Sequence, residues 1–126
     1  MALEQTEEAA RHQLAALELA RSLGQATLIA YSHMVAARFA LEDGAAVDAV
    51  RLQSAADSIL AREGVSLYAG DEEQRVALLE SARRELGDEA FERARIDGES
   101  SPGEQLADET ETTLRRRAAS PSTTGG

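Results

Sequence analysis

His12 and His33 are the side chains of this chain best suited to acid–base or metal chemistry near neutral pH, but their surroundings supply neither. Glu8 and His12 stand four apart on one predicted helix. A two-metal carboxylate bundle takes Glu-x-x-His pairs from two helices, and neither histidine has that spacing. Ser32 precedes His33, yet adjacency alone does not make a nucleophile and its base. The run Asp71-Glu72-Glu73 lacks the Gly-containing frame of a calcium loop and is explained as acids at the positive end of a helix. No cysteine is present, which excludes a thiolate nucleophile, a disulfide framework and Cys-ligated metal. No GxxxxGK[ST] loop is present either, so no Walker-type nucleotide site is expected. The sequence therefore predicts no enzyme, no cofactor, no metal and no DNA-binding residue. Tyr31, His33 and Arg38 remain as polar or aromatic groups for an interaction surface, or for a groove between the first two hairpins.

The elements that would position these residues are all helical. Alanine is abundant and aromatics are few, limited to Tyr31, Phe39, Tyr68 and Phe91. Alanine loses no side-chain entropy in a helix, whereas sheets favour β-branched and aromatic residues. Residues 25–64 form the most regular stretch, two amphipathic helices joined at Gly44. On the first of these, residues 26–42, Leu28, Tyr31, Val35 and Phe39 make one stripe; Ile29, Ser32, Ala36 and Ala40 make another beside it. A helix apolar over more than half its circumference requires a neighbour on each side. The second, residues 45–62, offers Val47, Val50, Ala56, Ile59 and Leu60. A short turn between helices of similar length makes them antiparallel. Ala36, Ala37, Ala49 and Ala56 are small enough for a close crossing there.

Around this hairpin, residues 2–22 form a first helix with Ala10, Leu14 and Leu17 on one face, closed at Gly24. Leu67 and Tyr68 are expected to tuck beneath the hairpin. Asp71, with Gln74 three residues on, resembles a capping box opening a fourth helix along Val76, Leu79, Ala82 and Leu86. Asp88 caps a fifth helix over residues 89–96, burying Phe91 and Ala94, and Asp97-Gly98 stops it. Ser101-Pro102-x-Glu104 reads as the start of a sixth, with Ser101 as cap. With chiefly Leu106 and Leu114 as apolar residues, that helix is expected to be short, frayed or loosely docked. The domain organisation follows as a helical domain over residues 1–114 and a disordered basic and polar tail over residues 115–126.

Charge narrows the partners. The net charge is −10, and all 23 acids lie before residue 115. An acidic body repels nucleic acid, whose binding rests on neutralising phosphates. Arg115-Arg116-Arg117 is the one basic run, and three adjacent arginines before a polar tail read as solvated. All 13 basic residues are Arg, as GC-rich coding or selection for bidentate pairing would produce. No apolar run reaches the roughly 20 residues needed to span a bilayer, and the acidic N-terminus lacks a signal-peptide layout. A cytoplasmic location without membrane contact is expected.

Gly44, Ala49, the run Arg51-Leu52-Gln53-Ser54-Ala55-Ala56-Asp57 and the run Arg84-Glu85-Leu86-Gly87-Asp88-Glu89-Ala90-Phe91 carry a family resemblance. Over roughly residues 25–110 the chain resembles the tetratricopeptide-like C-terminal region of actinobacterial LuxR-type and SARP (AfsR)-type regulators and related ATPase or adenylate-cyclase regulators. Gly44, Ala49 and Ala56 also match the generic tetratricopeptide pattern. Arg95 replaces an aromatic of the family, the closing helix is degraded over residues 103–110, and His33, Ala40 and Gln53 occupy aromatic positions of the generic repeat. The resemblance implies a short right-handed solenoid of stacked antiparallel hairpins, about six helices in all. It also implies that sensing, ATP hydrolysis and DNA binding belong to other domains, this chain being the terminal repeat segment. The expected function is a non-catalytic protein-interaction or scaffold module in transcription regulation or signalling, engaging a protein partner or a second copy. A small-molecule sensor module is the alternative.

Overall fold

The computed structural model describes residues 2–119, with side chains from residue 6 onward. Six helices and, among the described residues, no strand make up the fold: α1 (Ala2–Leu23), α2 (Ala26–Glu42), α3 (Ala46–Glu63), α4 (Ala69–Leu86), α5 (Asp88–Ser100) and α6 (Gly103–Ala118). The all-α architecture of packed helical hairpins expected from the sequence is what forms.

The α2–α3 turn depends on Gly44, whose φ of +82° lies in the left-handed region that side chains with a Cβ avoid. That conformation lets the Ala45 amide donate to the Ala40 carbonyl at 2.8 Å, closing α2 with a six-residue ring. The two helices then run back on each other with Ala36, Ala37, Ala49 and Ala56 completely buried, as the small-residue spacing requires. α2 touches α1, α3, α4 and α6, so its doubly apolar surface is covered from several sides. The main core gathers Leu17, Phe39, Leu52, Leu78, Leu106 and Leu114 around these alanines. A second cluster sets Phe91 and Ala94 against Val50 and Ala82. A third joins Ala30 and Met34 to Ala56 and Leu60, with Val65 and Leu67 packed beside it.

Several expectations are corrected. Asp97-Gly98 does not stop α5, which continues to Ser100. Gly98 is instead the point where α5 crosses α3 backbone to backbone. A Cβ there would lie 2.3 Å from the Arg51 carbonyl oxygen. Tyr68 does not tuck in but is 82% exposed, leaving Leu67 with Val65 to pin the loop. Val47 and Val76 face outward, and Leu78 takes the inward position on α4. The anticipated caps are not used: α4 starts at Ala69, and Ser101 donates its hydroxyl back to the Asp97 carbonyl at 2.8 Å.

α6 departs most from expectation. It is 16 residues long and buries Leu106, Ala107, Thr110 and Leu114. Residues spaced by three and four fall on one helical face, and the one polar member, Thr110, has a buried hydrogen-bond partner. The helix also extends past residue 114, so Arg115 and Arg117 belong to the folded domain. Arg115 pairs with Glu18 at 3.1 Å and Glu111 at 2.8 Å. Arg117 pairs with Glu42 and Asp43 and lies 4.3 Å from the centre of the Phe39 ring. Cations in a last helical turn also complement the helix dipole. The rest of the expected tail, residues 120–126, lies outside the described residues.

With α6 docked on α1, α2 and α3, the first and last helices of the stack are in contact. No described helix is long and apolar enough to cross a membrane.

Candidate functional site

The three residues singled out from the sequence do not share one site. All lie on α2, where successive side chains point about 100° apart: Tyr31 and Arg38, seven residues apart, share one face, whereas His33 points away from it.

His33 faces α6 and is 1% exposed. Its Nδ1 lies 2.6 Å from the Thr110 hydroxyl, so each buried polar group satisfies the other. Burial pulls its pKa from 6.5 down to about 4, helped by the charge of Arg21 and opposed by Glu109. His33 is thus a neutral imidazole inside the core at physiological pH. Ser32 is engaged elsewhere: it accepts from the Gln13 amide at 2.8 Å and donates to the Leu28 carbonyl at 3.2 Å. His12 lies on the surface, 3.7 Å from Glu8. Among the described residues no group of three or more His, Asp or Glu side chains is placed to hold a metal ion.

Tyr31 and Arg38 line a cavity of about 120 Å³ between α1, α2, α3 and α4. Its apolar wall is Met34 and Val35, and its polar wall includes Gln13, Gln53, Asp71, Gln74 and Arg75. The α2–α3 hairpin fixes Tyr31, Arg38 and Gln53, while α4 is anchored to it by Arg75. That guanidinium donates Nε and one Nη to the two Asp57 oxygens, each at 2.9 Å. The bidentate bond to Asp57 raises the Arg75 pKa despite partial burial. Asp57 also accepts from the buried Gln53 amide at 3.0 Å. Arg38 donates Nη1 to the Gln74 side-chain oxygen.

Arg51 is the functional-looking residue that sequence reasoning passed over. Its side chain is 13% exposed and ties three helices together. It reaches Asp97 on α5 at 2.5 Å and grips Glu109 on α6 with both Nη groups, the second at 3.1 Å. The Glu109 bond raises its pKa, so the guanidinium stays charged. Its role is structural: both carboxylates that it binds neutralise its charge while joining α5 and α6 to α3. Nothing local in the sequence marks it, since its partners lie 46 and 58 residues away.

The described residues form six helices and no strand, with a polar-walled cavity between the first four helices. Compared with protein-family models, curated proteins and solved structures, the chain matches none of them.

Proposed function

We propose that this chain is a non-catalytic helical-repeat protein-interaction module, similar to the C-terminal end of a bacterial transcriptional regulator or signalling ATPase, and that it works in the cytoplasm. The observation that carries the reading is a set of exposed leucines at the α1–α2 corner. Leu19 is 60%, Leu23 61% and Leu28 49% exposed. Leu19 and Leu23 are one turn apart on α1, and Leu28 lies in the first turns of α2. Three exposed leucines brought together at one corner are a feature of contact surfaces. The partner is a second copy or another protein, not nucleic acid, given the acidic charge.

Light scattering across the micromolar range, with a photo-crosslinker placed at position 23 in cells, tests this. The expected results are concentration-dependent dimers or a discrete crosslinked partner, either one lost on Leu23→Glu. A monomer at every concentration together with no crosslinked product rejects the module reading.

The second reading is a small-molecule sensor, favoured by the cavity that Tyr31 and Arg38 line. A thermal-shift screen against metabolites and nucleotides tests it, with a shift abolished by Arg38→Gln as the supporting result.

A further inference from the structure

The cavity between α1, α2, α3 and α4 contains two charges that the protein itself leaves unmatched. Asp71 is half-buried and lines it. The other half-buried carboxylates of α2–α6 are all matched: Asp57 by Arg75, Glu92 by Arg95, Glu109 by Arg51 and Glu111 by Arg21. Asp71 has no ion pair and caps no helix end. The nearest cation in sequence, Arg75, also lines the cavity but is engaged by Asp57 and by Glu72, which it meets at 3.2 Å. Arg38, which also lines the cavity, is bound only to the neutral Gln74 side chain, which leaves four of its five donors without protein partners. Gln74 follows Asp71 by three residues on α4, so the acid and the guanidinium flank one space without neutralising each other. The Tyr31 ring and Met34 form the apolar surface between them.

Keeping a carboxylate partly out of water with no cation beside it is unfavourable unless something else supplies the charge. Arg38 is exposed, so its remaining donors are open to a ligand. We propose that this cavity binds a small zwitterion, an α-amino acid or an ammonium carboxylate of similar size, with its carboxylate on Arg38 and its ammonium on Asp71. The planar fork of arginine matches a carboxylate in two-point contact. An ammonium directs three donors, and Asp71, Tyr31 and Gln13, all of which line the cavity, carry oxygens able to accept them. The cavity is small, about 120 Å³, and partly open, which suits a ligand of a handful of non-hydrogen atoms. A ligand of that size binds in the micromolar to millimolar range, on the order of what so few atoms allow. The inference rests on the sensor reading and names its ligand class.

The chain has no Trp and two Tyr, and Tyr68 is exposed and remote in role, so Tyr68→Phe leaves Tyr31 as the sole fluorescent reporter in the cavity wall. In that background alanine, serine and glycine are titrated alongside propionate, which has only the carboxylate, and alaninamide, which has only the ammonium. Saturable binding of at least one zwitterion is expected, weakened by at least ~10-fold on removing either charge from the ligand, the scale of one charge-assisted hydrogen bond. Asp71→Asn and Arg38→Gln, checked for unchanged helicity and melting temperature, should cause losses of the same size. Equal binding of propionate or alaninamide, or binding unchanged in Asp71→Asn, overturns the zwitterion assignment while leaving a sensor of other chemistry. No binding by any zwitterion also overturns it. The wider thermal-shift screen then decides separately whether the sensor reading survives.

Discussion

The backbone of Gly98 on α5 rests directly on the backbone of Arg51 on α3, with a Cβ at position 98 falling 2.3 Å from the Arg51 oxygen and 2.8 Å from its Cα. Glycine within a helix is less stable than alanine by about 1 kcal/mol, so its presence in α5 is a loss that the close crossing offsets. Gly98→Ala regains the propensity but drives a methyl into backbone that cannot rotate aside. The expected net change is a destabilisation of about 1–3 kcal/mol, read as a lower urea midpoint. A midpoint equal to or above wild type would mean that α5 slides off α3 at no cost.

Arg51 completes that crossing with charge. Removing it in Arg51→Ala strands Glu109, whose side chain is 30% exposed, and frees Asp97 at 56% exposed. Because both acids keep some water, the loss is expected at about 2 kcal/mol, below that of a sealed ion pair. Arg51→Lys retains the charge but not the two-point grip on Glu109, so it should restore less than half of the loss. A double-mutant cycle between Arg51→Ala and Glu109→Ala measures the shared part; a coupling near zero would assign the effect to the Asp97 pair and to packing.

His33 predicts an acid-sensitive fold. Its folded pKa of about 4 lies below the 6.5 of an unperturbed imidazole, because burial disfavours the cation. As pH falls through 6.5 the unfolded chain takes up a proton that the folded chain refuses. Stability is therefore full above that pH and is lost progressively down to the folded pKa. The total is about 3 kcal/mol at 1.36 kcal/mol per pKa unit. Unfolding free energies of wild type and His33→Gln, followed from pH 7 to 4.5, isolate this part from the carboxylates. Parallel curves would show that His33 protonates as freely inside as outside.

Leu114→Ala tests whether α6 is integral. Leu114 is fully buried in the main core, so truncation should cost about 2–5 kcal/mol and shift the whole transition. A separate, earlier loss of helical signal with the main transition unchanged would instead describe a loosely docked helix.

The difference between α3 and α6 explains what could be read in advance. The α2–α3 hairpin is specified locally: its apolar period, its four crossing alanines and Gly44 all lie within 40 residues. α6 carries few apolar residues and looks marginal by the same criteria. Its stability comes from partners that no local window contains, such as His33 for Thr110, 77 residues away. Gly98 was misread for a related reason, since a glycine that ends a helix and one that admits another backbone have the same local sequence signal. At the cavity, Tyr31 and Arg38 were legible as available groups on α2. Asp71 was not, because an acid in a first helical turn already has an electrostatic explanation. Only the packing of α4 reveals that its carboxylate lacks a partner.

The meeting of α1 with α6 has a consequence for cooperativity. A linear stack of hairpins can lose repeats from either end, since each unit holds only its neighbours. Here the Glu18–Arg115 bond spans 97 residues and the Arg21–Glu111 bond spans 90. Opening that seam exposes Leu17 and Leu114 together, so fraying at one end undoes the other. Joining the two ends in this way favours unfolding of the helices together, and contacts of such long range slow folding.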